Sequence, residues 1–544
     1  MQTANNKSGR PSARPNGFSS SKIFRHRRRL TRFLWFYAIS ASFLLGLSIS
    51  PAQALQLRFK DRNLLVFVDS TFTASGAMRV QSADQGSASG NRSIFPDGGD
   101  VFSAPLSLVT DISASKGSMG LFARTSYIYD PVILDRDCRN CARPTGPAMA
   151  DGIASSAQYL AGNKFRLLDL FVFNTWHFGD HPLSVRVGKQ VISWGESNII
   201  SGGISQMQNP VDLAKATTPG TEIKETLMPQ ESVYLQFGLT ENLGLEAYYV
   251  WNWRESVFIP TGTFFSPFDL LGAGYNPDMS PGIPYKGSDA TDEPEGGQWG
   301  LSLSRYMESW NGTDLSFYWV RSHAFVPFLA IDDSYTVPDP VLGGLTAGGY
   351  DKVFAQDQDT YGISVGGLLP GRLGISFQGE LNYKPDFYDT RDCATCAIES
   401  SDVVTLLGSV SHSANYDFLG SDRVSVILDV QAQKISNLAR DGRSAFGSEI
   451  TDFSWGYITV VTLDYQNAIA NIKVSPSLVW VHDVKGFEPG AAGGLSEDEQ
   501  AVSASVNFAY FNRSSLKFTY TSWLGDNGGN YDRDNVSVSF KYNF

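Results

Sequence analysis

The last residues of the chain alternate strictly between two kinds of side chain. Apolar or aromatic residues stand at every second position from Val536 to Phe544, and polar residues lie between them. Because successive side chains of a strand point to opposite faces, this segment predicts a strand with one apolar face. A free C-terminus normally frays unless it is tied down. We interpret Phe540, Tyr542 and Phe544 as part of the closing strand of a transmembrane β-barrel, with an edge strand of a soluble sandwich as the alternative.

Residues 1–54 have the order of a cleaved secretory signal. The first 32 residues contain nine Lys or Arg and no acidic residue, a short apolar run follows, and Ala52-Gln53-Ala54 supplies small residues for cleavage. This order predicts export by the general secretory route and a mature chain of residues 55–544. The apolar run is shorter than the roughly 20 residues that a retained spanning helix needs.

Alternation recurs through the rest of the chain in segments of about 10 to 14 residues. Soluble strands usually have about 5 or 6 residues, whereas a tilted strand needs about 9 to 11 to cross a bilayer. Tight connections alternate with long ones, which is typical of short periplasmic turns and long outer loops. We therefore predict one all-β domain, a transmembrane antiparallel β-barrel of about 18 strands, with counts of 16 or 14 left open. The predicted strands lie near 63–82, 105–113, 117–130, 164–177, 183–195, 230–239, 244–257, 297–308, 313–324, 358–368, 371–385, 402–415, 422–434, 452–464, 469–482, 500–511, 515–525 and 534–544.

Composition narrows the location and the partners. No stretch of 18 apolar residues follows the signal, so the sequence offers no transmembrane helix. The formal net charge of −12 argues against nucleic acid as a partner. We expect the outer membrane of a Gram-negative bacterium, with outer-membrane lipid and the barrel assembly machinery as partners.

A barrel of this size leaves a lumen that side chains cannot fill. The inward faces of the predicted strands carry charges of both signs, which either solvate a water-filled wall or contact a solute. The candidate lumen residues are Arg124, Glu246, Arg254, Asp429, Lys473 and Lys517.

The most distinctive stretch is a long connection. The predicted strand 183–195 carries Trp194 to its outer end, and a loop at 196–229 follows. Asn209 marks a turn there, and Asp212 is expected to cap a short helical piece. Long structured loops are often functional. Folded outward this loop would be a lid; folded inward, which we favour, it would narrow the pore. The candidate constriction residues are Arg186, Trp194, Glu196, Ser197, Asn209, Asp212, Glu222 and Lys224.

These segments resemble a known bacterial family. The runs at 187–197, 209–212 and 238–243 are similar to the family called domain of unknown function 1302, most specifically in the Trp-Gly-Glu-Ser run at 194–197. Lys189 stands where an Arg is expected. The resemblance extends over most of the mature chain and implies a Gram-negative outer-membrane location. It also implies a periplasmic lipoprotein and an inner-membrane transporter of lipids or hydrophobic compounds as partners, and it supplies no catalytic residue.

Four cysteines form two C-x-x-C pairs in predicted outer loops. Oxidation is favoured in an exported protein, so we interpret them as disulfides, with zinc binding and free thiols as alternatives. Four cysteines allow three connectivities, and the sequence leaves the pairing open. These residues are Cys138, Cys141, Cys393 and Cys396.

Enzyme motifs are weak. Residues 362–366 fit G-x-S-x-G, but that motif needs a strand–turn–helix context and here lies inside an alternating strand. We therefore expect no enzyme, no cofactor and no metal. The leading hypothesis is a channel for a small organic or hydrophobic, lipid-like compound, selected by the loop after Trp194. A surface receptor or scaffold and a lipid-acting outer-membrane enzyme are the alternatives.

Overall fold

A computed structural model of the chain describes most of the region that follows the predicted signal. Ala54–Phe544 form one compact unit. Among the described residues, no helix is both long and apolar enough to cross a membrane. The described residues are 55–59, 63–84, 94–136, 152–196, 199, 202–266, 272–274, 293–331, 336–338, 345–347, 350–371, 373–390, 398–438, 450–488, 494–511, 513–525 and 530–544.

Eighteen antiparallel strands close into a barrel, which confirms the predicted fold class and strand number. Each strand pairs with the next one along the chain, and the last pairs with the first. The strands are β1 Leu64–Arg79, β2 Leu106–Lys116, β3 Met119–Tyr129, β4 Asn163–Phe178, β5 His181–Gln190, β6 Gln230–Thr240, β7 Leu243–Asn252, β8 Gln298–Met307, β9 Thr313–Ser322, β10 Gln358–Leu368, β11 Ile375–Thr390, β12 Ile398–Ala414, β13 Arg423–Ser436, β14 Phe453–Ile469, β15 Ile472–Lys485, β16 Gln500–Tyr510, β17 Ser514–Leu524 and β18 Asn535–Asn543.

Several shorter elements lie between the barrel strands. Two-stranded ladders in the β9–β10 connection join Phe328–Ile331 to Tyr350–Val353 and Thr336–Pro338 to Leu345–Ala347. The other short elements are the strand Val101–Ser103, the helices Pro131–Leu134, Ser155–Gly162 and Leu213–Ala216, and the 3₁₀ turns Ile204–Met207, Ile223–Glu225 and Glu308–Trp310.

The seam between β1 and β18 is paired to the end of the chain. The N–H of Ser70 donates to the carbonyl of Phe544, and the N–H of Phe544 donates back, each at 2.9 Å. Farther along β1, Ser75 Oγ donates to Ser539 Oγ at 3.0 Å. Toward the N-terminal end of β1, past its contact with Phe544, the strand Leu55–Phe59 pairs with Leu64–Val68, the part of β1 that β18 does not reach. The sheet therefore has no long unpaired edge at the seam.

The outer face of the barrel is apolar, with aromatic side chains near both ends of the strands. Trp299 lies 4.7 Å from Trp319 between ring centroids, and Trp319 lies 5.9 Å from Tyr361, near the outer ends of β8 to β10. At the opposite ends, Trp176 and Phe178 are exposed. Two aromatic belts around a closed antiparallel barrel match the two interfaces of a bilayer. The protein resides in the outer membrane of a Gram-negative bacterium.

The hairpin between β14 and β15 differs from the sequence-based expectation for a physical reason. The predicted strands 452–464 and 469–482 imply a tight turn at 465–467, which is wrong, because β14 continues to Ile469 and the chain turns at Ala470 and Asn471. Both residues have positive φ, +45° and +68°, as in the two-residue hairpin turns that match strand twist. Pro476 lies within β15 between the pairs Thr462–Ser477 and Tyr465–Val474, at a position with no partner in the ladder to β14, where proline is tolerated.

Cysteines at paired positions of the seam should cross-link only in the closed barrel. With the four native cysteines changed to serine, Ser75→Cys combined with Ser539→Cys should form a disulfide on oxidation, because these residues face each other. A mobility shift on non-reducing gels measures the product. Ser75→Cys with Ser537→Cys is the matched control, since that diagonal pair is too far apart. Equal cross-linking of both pairs would contradict this seam register.

Candidate functional site

The chain leaves the barrel wall at the end of β5 and turns into the lumen. β5 ends at Gln190, so the expected position of Trp194 at the outer end of this strand is wrong. The backbone that would continue the strand is bound by side chains of the same connection. Asn209 accepts from the N–H of Ile192 at 3.1 Å and donates to its carbonyl, and Gln208 accepts from the N–H of Trp194 at 2.8 Å. We call residues 191–229 the β5–β6 loop.

Trp194 packs on tyrosines of the inward barrel face. Its ring centroid lies 5.0 Å from Tyr248 on β7 and 5.9 Å from Tyr318 on β9. The side chain is 7% exposed, and it belongs to one apolar cluster with Ile204 and Tyr234. The first part of the β5–β6 loop is therefore anchored on the wall formed by β6, β7 and β9.

Two inward carboxylates bind backbone N–H groups of the same part of the loop. Glu380 on β11 accepts from Glu196 at 2.9 Å and from Ile204 at 2.5 Å. Asp429 on β13, a predicted lumen residue, accepts from Ile199 at 2.9 Å. Gly195 fits this approach because its φ is +89° and a Cβ there would lie 2.3 Å from a Glu380 oxygen. Charge-assisted bonds thus hold the loop on β11 and β13.

A chain of ion pairs binds the later part of the loop to another wall. Glu222 lies 3.2 Å from Lys541 on β18 and 3.0 Å from Lys224. Lys224 lies 3.8 Å from Asp111 on β2, which Arg124 on β3 contacts at 2.7 Å. Two predicted constriction residues and one predicted lumen residue therefore meet in one network.

A second buried network lies beside the first. Lys215 and Glu225 form a salt bridge of 2.7 Å with both side chains 2% exposed, and Ser126 on β3 donates to Glu225. Asp212 caps the helix Leu213–Ala216, as predicted, by accepting from the N–H of Lys215. Its other oxygen lies 2.9 Å from Arg166 on β4.

The two sets of anchors lie on opposite sides of the barrel. In a ring of 18 strands, β11 lies nine strands from β2, and β13 lies nine strands from β4. Because the loop is held on both sides, it crosses the lumen. From strand spacing and tilt, a barrel of this strand number is about 35 Å wide between backbones.

Glu196 and Glu222, two carboxylates of the β5–β6 loop, have pKa values shifted in opposite directions. Burial opposes ionisation of Glu222, but the hydrogen bonds and charges of Lys224 and Lys541 hold its pKa below the usual carboxyl value. Burial raises the pKa of Glu196, and the nearby carboxylates of Asp314 and Glu380 raise it further. Glu222 therefore stays ionised at neutral pH, as its ion pairs require.

The other predicted lumen residues have varied surroundings. Glu246 accepts from the hydroxyl of Tyr234 at 2.6 Å. Arg254 lies beyond the end of β7, where it pairs with Glu231, and Lys473 lies 3.0 Å from Asp464.

Two predicted cations have no acidic partner among the described residues. The guanidinium of Arg186 contacts the rings of Phe171 and Tyr234, and Lys517 faces the lumen near Lys541. Ser197 and the four cysteines Cys138, Cys141, Cys393 and Cys396 lie outside the described residues.

Sequence reasoning missed several residues that anchor the loop. Glu380, Asp111 and Lys541 stand at inward positions of alternating strands, so the alternation carried a signal for their direction. It carried no signal for their partners, which lie in the loop. Lys215 and Glu225 were missed because their pairing depends on the turn that the loop makes between them.

A family comparison places the chain. The model of the family described as protein of unknown function (DUF1302) matches residues 35–544. The chain belongs to this family. No curated protein matches the chain.

Solved structures show distant similarity. OccAB1 of Acinetobacter baumannii has 13% identity and a TM-score of 0.45, with 91% of this chain and 98% of that chain covered. OccK2 (OpdF) of Pseudomonas aeruginosa, solved with glucuronate, has 11% identity and a TM-score of 0.44, with coverage of 88% and 98%. A BenF-like porin of Pseudomonas fluorescens Pf-5 has 10% identity and a TM-score of 0.44, with coverage of 90% and 100%. Sequence identities and TM-scores this low carry no argument about what passes through this barrel.

Glu380→Gln should loosen the first part of the β5–β6 loop. A glutamine keeps only one acceptor oxygen, so one of the two N–H groups loses its charged partner, at about 1–3 kcal/mol. Hydrogen–deuterium exchange across 196–207 should become faster than in the parent protein. Asp314→Asn is the matched control, because this exposed inward carboxylate has no hydrogen bond to the loop in the described part of the chain. Unchanged exchange in Glu380→Gln would argue against this anchor.

Acid should release the later part of the loop. The folded pKa of Glu222 is lowered, so its stabilising pairs are fully present above the unfolded carboxyl pKa of about 4.3 and are lost as pH falls below it. Exchange protection at 222–226, corrected for intrinsic rates, should be constant from about pH 7 to 5 and then fall. Glu222→Gln should show weak protection at every pH. A decline already at neutral pH would contradict this assignment.

Proposed function

We propose that this protein is an outer-membrane channel for a small organic compound, with the β5–β6 loop as its constriction. The observation that carries the proposal is that side chains on opposite walls hold this loop across the lumen. Glu380 and Asp429 bind it on one side, and Lys541 and the Asp111–Arg124 pair bind it on the other. A segment with so many wall contacts keeps a fixed position in the pore.

The width of the barrel supports an open path beside the loop. The lumen is about 35 Å wide between backbones, whereas one peptide segment with its side chains is about 10 to 12 Å wide. Side chains of the wall narrow the rest but cannot fill it. Solutes would then pass between the loop and the wall by diffusion, without chemistry and without a cofactor.

The lining supports an organic solute more than a simple ion. Charges of both signs lie beside aromatic surface, as with Arg124 and Phe122, whose guanidinium and ring centroid are 5.3 Å apart. Such a mixed wall can contact an apolar body and orient a polar group. A strongly one-signed ring would instead favour ions of one charge.

A receptor with a blocked lumen is the second candidate, and one observation favours it. The outer ends of the first strands are covered by an apolar cluster from three loops that includes Phe95, Phe102 and Phe264. The rings of Phe102 and Phe264 stack at 3.9 Å. Outer loops packed in this way could present a binding surface to a partner.

Planar-bilayer recordings should separate the two candidates. The refolded mature protein should form pores, and replacing 198–228 by a short glycine linker should raise single-channel conductance about twofold or more, because the cross-lumen segment is gone. Asp314→Asn should conduct like the parent, since this residue does not hold the loop. Pores in neither the parent nor the deletion variant would refute the channel, and equal conductance of both would refute the constriction.

A further inference from the structure

The inward faces of β3 and β4 carry a patch of aromatic rings. Phe122 and Phe171 lie 5.4 Å apart between ring centroids, and Phe171 and Phe173 lie 6.3 Å apart. All three side chains are half-buried, so part of each ring faces the lumen. Gly120 lies opposite Phe173 on the neighbouring strand, and a Cβ there would be 2.3 Å from the ring. The glycine at position 120 therefore leaves the space in the wall that the ring of Phe173 occupies.

A guanidinium with no acidic partner among the described residues lies at the edge of the patch. Arg186 is paired with Phe173 in the β4–β5 register. Its guanidinium carbon lies 4.2 Å from the ring centroid of Tyr234 and 5.6 Å from that of Phe171. No ion pair of this side chain occurs in the part of the chain that the structure describes.

Comparison with the neighbouring cation shows what is unusual about Arg186. Arg124 also stacks on a ring of the patch, but both of its terminal nitrogens contact carboxylates, Asp111 and Asp169. Glu246, which lies at the hydroxyl end of Tyr234, instead accepts hydrogen bonds from Tyr234 and Gln236. The donors of Arg186 are therefore left for a ligand.

We propose that Arg186 and this aromatic patch form a binding subsite for an organic carboxylate with an apolar or aromatic body. The proposal rests on the channel function and names the solute class. The planar fork of a guanidinium matches the two oxygens of a carboxylate, and stacking on Tyr234 holds the fork in place. The body of the solute packs on Phe122, Phe171 and Phe173, whose exposed surface it removes from water.

The surroundings favour an amphipathic anion over an inorganic one. The carboxylates of Asp111 and Asp169 lie on the same part of the wall, so a bare anion gains little there. An anion that also buries apolar surface has a second source of affinity. The position of the subsite links it to the constriction, since Tyr234 belongs to the cluster that receives Trp194.

Isothermal titration calorimetry on the full mature protein in detergent tests the subsite without requiring conduction. The probes are benzoate, acetate, which lacks the ring, and benzyl alcohol, which lacks the charge. Benzoate should bind measurably tighter than both. Arg186→Gln should weaken benzoate about tenfold or more, because a charge-assisted pair is lost. Arg186→Lys should weaken it less, and Phe171→Leu should weaken benzoate but leave acetate unchanged.

The matched control is Arg321→Gln. This change also removes one guanidinium, but Arg321 lies at the outer end of β9 in a salt bridge of 2.6 Å with Asp359, outside the patch. It should bind benzoate like the parent. Heat-modifiable migration on gels shows that each variant is folded.

The outcomes separate the subsite from the channel. Benzoate binding that is unaffected by Arg186→Gln, or equal binding of benzoate and acetate, would overturn the subsite whatever the conductance. Absence of benzoate binding in the parent would overturn it as well. Absence of pores together with Arg186-dependent benzoate binding would refute the channel and leave the subsite supported. Concentration-dependent block of the pore current by benzoate, relieved in Arg186→Gln, would support both.

Discussion

Closure of the sheet between β1 and β18 is the constraint on which the rest of the structure depends. In lipid every backbone polar group must be paired within the protein, so an open edge is excluded. Ser70 and Phe544 exchange two backbone bonds at the seam, and the strand Leu55–Phe59 covers the lower part of β1. Closure with 18 strands in turn creates a lumen, and a lumen is what gives the β5–β6 loop a place to fold inward.

The same requirement for pairing acts on the loop inside the lumen. Irregular backbone at membrane depth is stable only where protein groups or water satisfy it. Here carboxylates of the wall replace a neighbouring strand, because Glu380 binds two N–H groups and Asp429 binds a third. The aromatic contact of Trp194 with Tyr248 and Tyr318 adds a dry anchor to these polar ones. The polar and aromatic contacts together fix the position of the β5–β6 loop in the pore.

The strands could be predicted from the sequence, whereas the site could be predicted only in part. Alternation is a local signal, so it located the barrel strands, and Asp212 as a helix cap is equally local. Turn position was less certain, since both Tyr465–Asn467 and Ala470–Asn471 offer turn residues. The loop anchors are long-range. Glu222 and Lys541 are 319 positions apart, and only the closed barrel brings them together. The predicted position of Trp194 was wrong because the strand ends before it, where the side chains of Asn209 and Gln208 accept hydrogen bonds from the backbone N–H groups of Ile192 and Trp194.

The distribution of cations in the lumen separates structural from solute-binding roles. Lys541, Lys224 and Arg124 each contact a carboxylate, and those pairs hold the loop or its wall. Their donors are occupied, and removing one would leave a partly buried acid without compensation. Arg186 differs because, within the described part of the chain, rings contact its guanidinium and no acid pairs with it, so a solute carboxylate can bind it without breaking a structural pair. A channel that must keep its constriction fixed while it binds and releases solute needs this separation.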